Sequence, residues 1–110
     1  MDNFKVNFTF TLTDSPNGHN GGMAFVIQDD SVTKAGPNNA GLGYGSEPDS
    51  SNIGLTNSIV VEFDTFFDPG VDDTLDGCQT PHFAIHSKGA TANSAVEKTA
   101  NVGGCYKSFN

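Results

Sequence analysis

Residues Ser58-Ile59-Val60-Val61-Glu62-Phe63-Asp64-Thr65-Phe66-Phe67 decide how this chain is read. Side chains on a strand alternate between two faces. Ile59, Val61, Phe63 and Thr65 therefore point one way, and Val60, Glu62, Asp64 and Phe66 the other. Asp68 follows on the second side if the extended run continues. Carboxylates two residues apart on one strand face lie about 7 Å apart at the backbone, and leaving them unpartnered in an apolar-flanked strand is costly. Three readings fit: a solvent-facing acidic strand, a metal site, or the paired carboxylates of glycoside hydrolysis.

Outward from this strand, Asp68, Asp72, Asp73 and Asp76 crowd into one short segment, where mutual repulsion disfavours folding unless a hard cation neutralises them. The run His82-Phe83-Ala84-Ile85-His86 then alternates again, with both histidines on one face. If it pairs antiparallel with residues 58–67, the acidic segment folds back and His82 meets Glu62 and Asp64. That favours the metal reading. Oxygen ligands suit Ca2+, and carboxylates with one imidazole suit a transition ion such as Mn2+. His86 is read as a partly exposed strand residue, with a second ligand role as the alternative.

The rest of the chain reads as all-β. Phe4 to Leu12 alternates strictly and predicts a first strand, Met23 to Ile27 is an apolar strand, and Leu42-Gly43-Tyr44 a short strand or extended piece. Gly, Asn, Ser and Asp clusters mark the turns between them. No helix or internal repeat is predicted, and residues 1–110 form one domain. The net charge is −8, and the five basic residues are all Lys with no basic stripe, which argues against nucleic-acid binding. No segment has the length of a membrane span, and any export signal is expected to lie outside this chain. Asn7-Phe8-Thr9 matches a glycosylation acceptor but falls inside the expected strand and is read as a chance match. Cys78 and Cys105 are too few and too far apart for a zinc site. They are either two buried thiols or a disulfide. Their polar, Gly-rich surroundings favour the disulfide, and with it a secreted or extracytoplasmic location.

The blocks Met23-Ala24-Phe25-Val26-Ile27-Gln28, Gly41-Leu42-Gly43-Tyr44, Asn57 to Phe66 and His82 to His86 resemble the L-type (legume-type) lectin domain in order and spacing. The resemblance covers residues 4 to 87. It implies a concanavalin-like antiparallel β-sandwich of the jelly-roll type, of which this chain is an incomplete copy within a longer polypeptide. It also implies a Ca2+ ion beside a transition ion such as Mn2+, with glycans as partners. By position, Glu62, Asp64 and His82 would serve the transition ion, and Asp64, the Phe66 carbonyl and Asp68 would serve Ca2+. Asp76 or Asp73 would bridge the two.

The sugar site implied by the resemblance takes in Gly21, Ala40, Gly41 and Asp68, and it departs from the family pattern twice. Gly21 stands where the family has a sugar-binding Asp. Asp68 stands where the family has an Asn whose amide donates to sugar, which an ionised carboxylate cannot do. Two alternatives remain. One is a glycoside hydrolase on a related sandwich, which would carry Glu-x-Asp-x-x-Glu; here Phe67 holds the place of the second Glu. The other is a sugar-inactive domain that keeps metals for stability or protein contacts.

Overall fold

The computed structural model describes residues 3–11, 13, 21–46, 53–67, 78, 81–96 and 100–107. They build one antiparallel sheet of four strands: β1 (Gly22–Gln28), β2 (Ser58–Asp64), β3 (His82–Ser87) and β4 (Tyr106–Lys107), in the spatial order β1-β2-β3-β4. The β-branched and aromatic residues of β1 to β3 suit a pleated surface. β2 lies in the middle, with Glu62 opposite Ala24 on one side and Ala84 on the other, and Asp64 opposite Gly22 and His82.

The alternation in β2 and β3 is an alternation of burial. Ser58, Val60, Glu62 and Asp64 are buried together with His82, Ala84 and His86, while the opposite face leaves Ile27, Ile59 and Ile85 at 43%, 54% and 37% exposure. The sheet thus hides its polar face and shows its apolar one. Over the hidden face, Tyr44, Leu55, Val60 and Ala95 form the core cluster, joined by Ala24, Val26, Ala40 and Leu42. Backbone hydrogen bonds lace this cover together: Leu55 N–H donates to the Tyr44 carbonyl (2.8 Å), Asn93 N–H to the Leu55 carbonyl (2.9 Å) and Ser46 N–H to the Asn93 carbonyl (2.9 Å).

Several expectations change. Residues 4–11 are in no strand, and all but Phe10 are exposed. Instead, Phe8 stacks on Phe25 at 5.4 Å and Phe10 meets Phe63 edge-on at 5.0 Å, so this segment lies on the apolar face by ring contacts. Leu12 lies outside the described residues. Leu42-Gly43-Tyr44 is a turn rather than an extended piece, because Leu42 and Gly43 have φ of 44° and 77°. It follows a 3-10 turn at Asn39–Gly41. β2 stops at Asp64, since the Asp64 carboxylate accepts the Phe66 N–H at 2.7 Å and turns the chain. Phe66 therefore leaves the face assigned to it and is 38% exposed. The two-residue β4 was not anticipated.

Gly22 opens β1 at a φ of 142°, and a Cβ there would overlap the Phe63 carbonyl oxygen. Gly22→Ala is expected to cost on the order of 1–3 kcal/mol from backbone strain, before any cost of displacing β2. Urea unfolding would measure it, and an unchanged midpoint would contradict the close approach of the two strands.

Candidate metal centre

β2 contributes Glu62 and Asp64, two residues apart on the hidden face, and β3 contributes His82, which pairs directly with Asp64. One ligand atom from each lies within 4.8 Å of the others. Glu62, Asp64 and His82 are 1%, 6% and 1% exposed, so the group is enclosed and the reading as a solvent-facing acidic strand is excluded. Glu62 Oε1 lies 3.8 Å from His82 Nε2. Two carboxylates and an imidazole in one buried space match the donor set of a transition ion, and buried charges of like sign call for compensation.

A second set of residues holds Glu62 from behind. The Tyr44 hydroxyl donates to Glu62 Oε2 and also lies 2.6 Å from His86 Nδ1. That nitrogen is 3.0 Å from the Ser94 carbonyl oxygen, which can only accept. His86 Nδ1 therefore carries the proton, and the Tyr44 oxygen accepts from it while giving its own hydrogen to Glu62. His86 is 0% exposed, which corrects the expectation of a partly exposed residue; its place beside His82 on the hidden face was the signal. Tyr44 was missed altogether. Nothing local marks an aromatic between two glycines as the partner of a carboxylate 18 residues away.

Cys78 and Cys105 form a disulfide with a Cα separation of 5.3 Å. Asp68, Asp73 and Asp76 lie outside the described residues. Phe66 lies two residues beyond the strand end that carries Asp64.

Beside the cluster is an open cleft of about 520 Å³ lined by Gly21, Gly22, Gly36, Asn38, Leu42 and Gly43 among others. Gly22 pairs with Asp64, and the Gly21 carbonyl accepts the Thr65 N–H at 3.0 Å, so cleft and cluster share one end of the sheet. Of the expected carbohydrate residues, Gly21 lines this cleft, while Ala40 and Gly41 sit in the 3-10 turn between lining residues Asn38 and Leu42.

The segment leading into the cleft wall is tied down by Asp30. Its Oδ2 accepts from Lys34 Nζ (2.6 Å) and from Thr56 N–H (2.8 Å), and these hydrogen bonds hold the Asp30 carboxyl down to about 2 from its ordinary 3.8. A carboxyl lowered by folding stabilises the fold above its unfolded value, and that contribution is lost as pH falls through its folded value. Asp30→Asn is therefore expected to be destabilising at pH 5, with the difference from wild type shrinking towards pH 2. Paired urea titrations at the two pH values measure this; an equal difference at both would contradict the ion-paired anchor.

The family model of the legume lectin domain matches residues 1–102. A lectin-like protein of Arabidopsis thaliana is 38% identical over 76 residues, which cover 66% of this chain and 27% of that protein. The chain thus matches little more than a quarter of that relative's length. No solved structure matches the chain.

Proposed function

Since the chain belongs to the legume lectin family, with its concanavalin-like β-sandwich fold, we propose that it is the metal-dependent part of a carbohydrate-binding domain. The observation that carries this reading is the convergence of Glu62, Asp64 and His82 in one buried space at the sheet end that also lines the cleft.

In this reading Glu62, Asp64 and His82 hold a transition ion such as Mn2+. Asp64, the Phe66 carbonyl and Asp68 hold Ca2+, and Asp76 or Asp73 bridges the two. The bound cations supply fixed positive charge that neutralises the carboxylates. Tyr44 and His86 orient Glu62, and the Phe66 N–H orients Asp64, so both carboxylates are positioned before any cation arrives. Gly21, the backbone around Ala40 and Gly41, and Asp68 then face sugar hydroxyls as hydrogen-bonding groups. The reading is one of binding rather than catalysis, because Phe67 stands where a hydrolase of related fold needs its second carboxylate. The disulfide accords with an oxidising compartment, and we place the domain in a secreted or extracytoplasmic protein.

Calorimetric titration with a panel of oligosaccharides, with Ca2+ and Mn2+ and again with chelator, tests this. Binding that chelation abolishes is expected. Binding that survives chelation would remove the metal role. Folded, metal-loaded protein that binds none of the panel would favour a sugar-inactive domain, the outcome that Gly21 and Asp68 point towards.

A further inference from the structure

We propose that Cys78, Cys105 and His82 form a second, thiol-gated site for a soft divalent cation such as Zn2+, which opens when a dithiol reductant cleaves the Cys78–Cys105 disulfide. The site does not depend on the sugar-binding reading, although it shares His82 with the carboxylate cluster.

The spacing of two cysteines in the sequence argues against a zinc site. The fold supplies the missing ligand: one ligand atom each from Cys78, His82 and Cys105 lies within 4.8 Å of the others. Two thiolates and one imidazole are a zinc donor set, with a fourth position for water. They are a poor set for Ca2+, which takes oxygen ligands.

Two of the three residues, His82 and Cys105, stay together without the sulfur–sulfur bond, and Cys78 lies only four residues before His82. His82 pairs with Lys107 and Phe83 with Tyr106 across β3 and β4, and the Phe83 and Tyr106 rings stack at 5.1 Å. Cys105 immediately precedes β4, so these contacts hold its flank beside His82 in either redox state. Cys78 and His82 are 0% and 1% exposed, which encloses the site, while the half-buried Cys105 is the side from which a reductant would approach. Asn101 Nδ2–H reaches Cys105 Sγ at 3.4 Å and would donate to the sulfur as a thiolate.

The chemistry balances. A dithiol gives two electrons and two protons to the disulfide, leaving two cysteine thiols and its own disulfide. On binding the cation the thiols release their two protons to solvent. His82 belongs to both clusters, so filling the sulfur site draws on a residue that the carboxylate site also uses.

The test uses the full chain with Co2+ as a spectroscopic stand-in for Zn2+. Dithiol-reduced protein is expected to show a near-ultraviolet thiolate-to-cobalt band that Zn2+ displaces, with affinity at least 100-fold above that of the oxidised protein. Zn2+ added to the reduced protein should move the imidazole resonances of His82 to positions that Zn2+ with the oxidised protein does not produce, a readout that needs no variant. His82→Gln should weaken Co2+ binding at least 10-fold while keeping thiolate character. A reduced protein that gives no thiolate band, or whose His82 resonances ignore Zn2+, overturns the proposal. Loss of sugar binding alone does not bear on it.

Discussion

Mn2+ supplied at about 100 times its dissociation constant is expected to raise the unfolding midpoint by roughly 10–20 °C. Binding to the folded state alone at that excess stabilises by about 2.7 kcal/mol, and each kcal/mol moves the midpoint of a domain this size by about 4–8 °C. The structure makes the folded state the only competent one, because Glu62 and Asp64 reach His82 through the pairing of β2 with β3. The double variant Glu62→Gln, Asp64→Asn should lose the shift. Without metal it should be no less stable than the wild type, since two buried like charges are gone while the shape remains. Calorimetric melts of both proteins with and without Mn2+ give the comparison. A double variant that keeps the full shift would place the cation elsewhere in the chain.

Tyr44→Phe is expected to lower cation affinity 10- to 100-fold, the usual cost of removing a group that orients a metal ligand. It should also destabilise the metal-free protein by about 1–3 kcal/mol, because Glu62 Oε2 loses a donor in a buried setting. The ring itself stays, edge-on to His86 at 5.8 Å, so packing changes little and the hydroxyl is isolated as the cause. Mn2+ titration and urea unfolding measure the two effects. A variant equal to wild type in both would show that the hydroxyl does not position Glu62.

How much of this was legible in the residues follows from which forces are local. The period of two in residues 58–64 set Glu62 and Asp64 on one face, and the same period in residues 82–86 brought His82 opposite, because strand faces are fixed by backbone geometry. The disulfide was readable from the polar, Gly-rich segment around the cysteines, although Cys78 itself is fully buried. Residues 4–11 show the limit. Alternation tells which side chains share a face, but it does not name a hydrogen-bonding neighbour, and Phe8 and Phe10 attach through rings instead. Tyr44 became part of the site only through contacts across 18 residues to Glu62 and 42 to His86, which no local pattern encodes, whereas the period of two had already set His86 on the His82 face. Leu42 and Gly43 were misjudged because positive φ at Leu42 has no residue-type signal, although the Gly-Leu-Gly setting offered a hint. The family resemblance drawn from the four blocks agrees with the match over residues 1–102.

The division of the sheet into a charged side turned inward and an oily side turned outward guards against misassembly. A slip of β2 by one residue along either neighbour would carry Ile59, Val61 and Phe63 into the chamber and leave Glu62 and Asp64 facing water on the wrong side. Both errors arise at once and neither can be mended by side-chain movement. The native alignment, with Asp64 opposite His82, keeps the carboxylates beside their imidazole and the apolar side chains out of the chamber at once.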